Sequence, residues 1–271
     1  MRHQLIFISA LAALTFASCV KQETKETVFQ SEFKYTLEQN DSCNLEIVYS
    51  LAYYETFAGG DELRDKLNGT IVELCFNESQ AGKTVREAFD DYCKHAAEEY
   101  QKDAGELYQD IANNLEEDEE FLWSICRWSE NVSSEFRGRV ENLQTYCVFT
   151  YNYLGGAHGM NYESLYLLDL KSGERVREEE LFKEGYAEPV AALIRKYAEK
   201  KYSSEGEEDF TYDLFTIEGL VPNGCCGVSE EGITWNYQPY EIASYAAGVI
   251  SVTVPWEALQ KLLAQEYPAS R

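Results

Sequence analysis

Histidine is the side chain best suited to acid–base or metal chemistry near neutral pH, and this chain has three. His158 has the most specific setting. It lies in Gly155-Gly156-Ala157-His158-Gly159, directly after the aromatic and β-branched run from Cys147 to Tyr153. Such a run reads as a strand, and glycines after it admit positive φ and close backbone approach, so a tight, structured turn is expected. On that turn His158 acts either as a ligand or acid–base group, or as a structural lock whose ring nitrogens satisfy backbone groups. The lock needs no partners, and partners are scarce. His3 falls in the N-terminal leader, and His95 falls in an acidic helical stretch. No His-x-x-x-His or Cys-x-x-Cys spacing occurs, so no metal site is expected. There is no Gly-x-Ser-x-Gly turn, phosphate loop or dinucleotide fingerprint, so no cofactor is expected either. The 48 acidic residues allow many carboxylate pairs, but no pair stands out. Twenty tyrosines and four tryptophans could floor a sugar site, although strand packing accounts for most of them. Catalysis is the minority reading.

The address is easier to read. Arg2 and the apolar stretch from Leu5 to Phe16 form a leader too short to span a bilayer as a mature helix. It ends in Phe16-Ala17-Ser18-Cys19, which resembles the lipobox of bacterial lipoproteins, where the cysteine thiol takes a diacylglycerol and becomes the mature N-terminus. Residues 1–18 are therefore expected to be removed. Residues 19–40, polar from Val20 to Gln30, read as a tether between membrane and domain. Export implies an oxidising compartment, so some of the seven cysteines beyond Cys19 are expected in disulfides, with at least one left over. Cys225 and Cys226 either form a vicinal redox pair or are separately buried or bridged. The net charge of −25 excludes nucleic acid and anionic membrane surfaces as partners and favours basic proteins or cations.

The elements that must position these groups follow from periodicity. A strand is expected over 44–57 and a helix over 62–76, with Asp61 as its cap. A capping box at Thr84 and Glu87 opens a second helix, running to about Leu115 with a break near Gly105. The acidic run 116–120 reads as a solvated turn. Strands are expected over 121–136 and 142–153, joined at Arg137-Gly138-Arg139, and then over 162–170. A short helical turn at 178–182, a helix over 189–202, an acidic loop over 203–209, strands over 213–221, 232–237 and 248–254, and a last helix over 256–265 complete the chain. Helices and strands mix without regular βαβ alternation, so the class is α+β, with largely antiparallel sheets, packed helices and two intimately associated sub-domains. The expected division is 41–160 and 161–271.

The C-terminal segment carries a resemblance. A strand ending near Asn236 is followed by Pro239-Tyr240-Glu241-Ile242, then by Tyr245-Ala246-Ala247-Gly248 and a strand closing in Pro255. This resembles the last domain of the RsiV-like, PdaC-associated extracytoplasmic family, the two-domain external region of RsiV-type anti-sigma factors. The family's Gly-Gly-Ala-His element matches Gly155, Gly156, Ala157 and His158, and its Asp-x-x-x-Gly turn matches Asp169 and Gly173. The resemblance spans about residues 41–260. It implies an external domain that binds animal lysozyme, but neither a sigma-factor segment nor a deacetylase domain accompanies it here. Candidate binding or structural residues are thus Gly155, Gly156, Ala157, His158, Gly159, Pro239, Tyr240, Glu241, Tyr245 and Gly248, with Cys19 for lipidation.

Three functions are carried forward. The first is a lipid-anchored envelope module that recognises lysozyme, another basic protein or a cell-wall glycan. The second is an enzyme acting on peptidoglycan through His158 and a carboxylate. The third is a structural lipoprotein that scaffolds other envelope proteins.

Overall fold

The computed structural model describes residues 23–114, 119–204, 214–215 and 217–264. The leader, Cys19 and most of the acidic runs at 116–120 and 203–209 lie outside these.

From Lys25 on, the expected tether is a strand. β1 (Lys25–Leu37) places Phe29, Phe33, Tyr35 and Leu37 on one face at period two, with Glu26, Val28, Gln30, Glu32 and Lys34 on the other. The polar composition of its outer face hid that alternation. β2 (Asn40–Thr56) pairs antiparallel with β1 and buries Cys43, Leu45, Ile47, Tyr49 and Leu51. It then pairs parallel with β3 (Trp128–Val140). Parallel neighbours need a long crossover, which here consists of α1 (Asp61–Phe76), α2 (Val85–Asn114) and α3 (Glu119–Cys126). Gly60 precedes α1, and Asp61 is its first helical residue instead of the cap. Thr84 and Glu87 do form the reciprocal capping bonds that open α2. α2 runs through Gly105 without a break. α3 replaces the first third of the strand expected over 121–136, and the hairpin turn falls at Glu141, beyond Arg139.

β4 (Leu143–Leu154), β5 (Met160–Asp169) and the short β6 (Arg175–Val176) complete a six-stranded sheet in chain order. Period two divides β4 and β5 between two cores. Tyr146, Val148 and Leu168 join α1 and α2 in the first core, while Leu143 and Leu167 point into the second. Both faces are covered there, so β4 reads as a nearly unbroken apolar run from Tyr146 to Phe149. The expected division at 160/161 falls at the first residue of β5, which stays hydrogen-bonded to β4.

The second core is closed by α4 (Glu178–Leu181), α5 (Ala187–Ser204) and a three-stranded antiparallel sheet of β7 (Cys226–Val228), β8 (Gly232–Tyr237) and β9 (Ile250–Pro255), followed by α6 (Trp256–Leu259). β7 was not expected. The described part of the strand expected over 213–221 holds a single bridge at Leu214 and a 3-10 turn at Ile217–Gly219. α6 is one turn long where a ten-residue helix was expected.

Trp235 is fully buried in this core and its indole N–H donates to Glu178, as does the Gly224 amide. Burial raises the Glu178 pKa above the ordinary carboxylate value despite these bonds. A folded-state pKa above the unfolded one means that stability falls as pH rises from the unfolded value through the folded one. Glu178→Leu removes its part of that slope and leaves the buried Trp235 indole N–H unpaired, at a net loss of about 1–3 kcal/mol at neutral pH. Urea titrations at acidic and neutral pH test this, and an unchanged slope would refute it.

Candidate functional site

The glycine turn is fixed from three sides. Gly155 and Gly156 have φ of 84° and 95°, and the Gly156 amide donates to the Ser124 carbonyl at 2.9 Å. The Tyr153 hydroxyl donates to Ser124 O and Gly156 O, tying the turn to the end of α3. A Cβ on Gly155 would lie 2.5 Å from the Ile125 carbonyl oxygen, and one on Gly159 would lie 2.4 Å from the Tyr151 ring. The first position needs both a left-handed backbone and empty space. Gly155→Ala should therefore lose about 2–3 kcal/mol in a denaturant titration; a loss below 1 would show that the turn yields.

His158 is exposed at the tip of this turn. Its Nδ1 lies 3.0 Å from the Gly159 carbonyl oxygen, and its ring stacks on Tyr245 at a centroid distance of 4.6 Å. No hydrogen bond or ion pair joins it to a carboxylate among the described residues. Tyr245 in turn stacks on Tyr240 at 5.8 Å, and the Asn161 side chain donates to its hydroxyl. The turn and the Pro239 to Gly248 segment, far apart in the chain, thus form one stacked ledge.

The loop bearing this ledge has a defined geometry. The Glu241 amide donates to the Gln238 carbonyl at 3.0 Å, closing a four-residue turn with Pro239 second and Tyr240 third. Tyr240 has φ of 69°, in the position where a type II turn normally takes glycine. It is nevertheless a tyrosine, half exposed at 50%. The Glu241 carboxylate accepts from the Gln238 amide and the Asn223 side chain, so its part is to hold the turn. Gln238 accepts from the Glu163 amide and donates to the Glu163 carbonyl, clamping the loop to β5. Gly248, at φ 65°, ends the 3-10 turn Tyr245–Ala247 by donating to Tyr245 O. Phe215 and Val221 are also exposed beside this loop: the Phe215 amide donates to Ile242 O, and Val221 O accepts from Tyr237.

Next to the ledge, on the sheet face opposite α1 and α2, lies a cavity of about 230 Å³ lined by Asn131, Ser133, Phe149, Tyr151, Asn161 and Glu163. Arg137 lies over the Phe149 ring and pairs with Glu163. The sequence reading missed Gln238, Asn161 and Glu163, which belong to this surface only through strand register; Gln238, next to Pro239, was the one with a local signal.

Among the described residues no bridge joins Cys225 to Cys226. One disulfide joins Cys43 to Cys126. Cys225 and Cys226 are separate thiols, the former accepting from the Leu165 amide. Burial pushes the Cys75, Cys93 and Cys147 thiols up to about 12 and raises those of Cys225 and Cys226 as well. No cluster of three or more His, Cys, Asp or Glu side chains suited to a metal occurs among the described residues. No helix among them is long and apolar enough to cross a membrane.

No curated protein matches the chain. Two crystal structures of DUF3298 family proteins are similar in fold. The one from Bacteroides fragilis has a TM-score of 0.78 at 20% identity, covering 90% of this chain and 95% of that one. The one from Pseudomonas aeruginosa has a TM-score of 0.62 at 13% identity, covering 92% of this chain and 98% of that one. The family described as "Protein of unknown function (DUF3298)" matches residues 179–257, which contain α4, α5, the second sheet and the Tyr240–Tyr245 loop, so the chain carries a DUF3298-type region within the fold of those two proteins.

Proposed function

We propose that the chain is an exported, lipid-anchored binding module of the cell envelope that recognises a basic protein. The observation that carries this reading is the ledge of exposed Tyr240 and His158 stacked on the half-buried Tyr245, built on a turn whose third position is strained. Strain of this kind gives the free protein nothing, whereas a rigid aromatic anchor is what a binding hot spot uses. The net charge of −25 would steer a cationic partner to it. A diacylglycerol on Cys19 would sit six residues before β1, a reach of at most about 20 Å, so the domain would stay close to the bilayer.

Lysozyme, the ligand implied by the RsiV-like resemblance, is the first probe. Calorimetric titration of the leaderless protein should give saturable binding that weakens at least tenfold from low to high salt. Absence of binding removes lysozyme as the ligand, and salt-independent affinity removes the electrostatic part. A cell-wall glycan is the second reading, because the 230 Å³ cavity combines aromatic, amide and carboxylate groups at roughly the size of one sugar ring. Titration with chitin oligosaccharides separates the two.

A further inference from the structure

A cavity larger than the one beside the ledge lies elsewhere in the described molecule. It is a groove of about 740 Å³ between β1 and α2. β1 is the edge of the six-stranded sheet, and among the described residues no strand pairs with its outer side. α2 supplies the other wall through Phe89, Cys93 and Ala97, each four residues from the next so that they share one face, and Phe33 lines the groove from β1. Side chains bridge the groove at both ends. Arg86 donates to the Ser31 hydroxyl and stacks over Phe29 at 4.6 Å, and the Tyr35 hydroxyl donates to Gln101.

We propose that this groove takes an extended, cationic peptide segment, added as a seventh strand on β1. Three observations select that occupant. An unpaired strand edge offers alternating N–H and C=O groups that only another extended backbone matches, while the apolar wall of α2 receives every second side chain. From Ser31 to Tyr35 the groove spans five residues of strand, a length that suits a short segment instead of a folded domain. The lining bears three carboxylates, Glu32, Asp90 and Glu98, against Arg86 and Lys94, and Arg86 is already held by Ser31 and lies near Asp90. A second copy of this chain is the weaker occupant, since each copy brings a net charge of −25. This site lies apart from the Tyr240 ledge, so its failure would leave the proposed function standing.

The test uses an end-capped Lys-Val-Lys-Val-Lys-Val peptide, its Glu-Val counterpart, and the Lys-Val peptide N-methylated at alternate amides. Titration is followed by calorimetry and by backbone amide shifts. The Lys-Val peptide should bind saturably and shift β1 amides. N-methylation and Glu98→Lys should each weaken binding at least tenfold, and the Glu-Val peptide should not bind. Ala97→Phe fills the groove and should abolish binding; if that variant does not fold, the exposed Glu98→Lys exchange decides. Absent binding, equal affinity of the methylated peptide, or indifference to Glu98→Lys would overturn the proposal. So would a dimer in sedimentation velocity that the peptide does not dissociate, which would make a second copy the occupant.

Discussion

Reducing the Cys43–Cys126 bridge, or replacing both residues by alanine, is expected to lower the unfolding free energy by about 4–5 kcal/mol. The two residues are 83 apart in the chain, and cross-linking them removes the corresponding loop entropy from the unfolded state. The bridge also pins β2 to the end of α3, the last turn of the long crossover that makes β2 and β3 parallel neighbours. Urea titration with and without reductant measures the loss, and the double alanine variant should be insensitive to reductant. A shift under about 1 kcal/mol would mean that the unfolded chain keeps the two ends together by other means. The five other cysteines among the described residues make a clean control. They are buried or half-buried with raised pKa values, so alkylation of the folded protein should be slow and become fast only on unfolding.

Tyr240→Gly is expected to act in opposite directions on stability and binding. Glycine suits the left-handed third position of the turn, so the variant should gain about 1 kcal/mol in thermal or urea unfolding. The same change removes the outer ring of the Tyr240–Tyr245–His158 stack. If the ledge is the recognition surface, affinity for the basic partner should fall by roughly 30-fold or more, corresponding to about 2 kcal/mol for a hot-spot aromatic. A variant that is more stable and binds normally would leave the tyrosine's strained position without a function. One that is less stable would show instead that the Tyr240 ring contributes packing. His158→Ala separates the members of the stack. It should weaken binding less than Tyr240→Gly does, since the imidazole lies behind Tyr245 from Tyr240.

The α+β class, the amphipathic helices α1, α2 and α5, and strands β2, β4, β5, β8 and β9 were legible in the chain because each carries a local apolar signal, periodic in most of them and a run of aromatic and β-branched residues in β4. The glycine turn was legible for a related reason: Gly155 and Gly156 take positive φ, which few other residues tolerate. β1 was not legible, because an edge strand with one solvated face alternates between apolar and charged residues and its composition resembles a linker. The residues of α3 from Phe121 to Cys126 were misread as strand, since so short a stretch has no periodicity long enough to separate helix from strand. The strained Tyr240 was invisible in principle: Pro239-Tyr240 announces a turn, but only the hydrogen bond from Glu241 to Gln238 shows which residue takes the glycine position.

Local sequence therefore determined which segments are helix or strand, the acidic surface and the two motifs. Tertiary structure alone decided that these motifs meet, that His158 faces Tyr245 and not a carboxylate, that β4 and β5 serve two cores, and that β1 stands unpaired beside a groove. The physical reason is the same throughout: periodicity and turn chemistry act over a few residues, whereas register across a sheet and stacking across 87 positions, from His158 to Tyr245, depend on how both cores close.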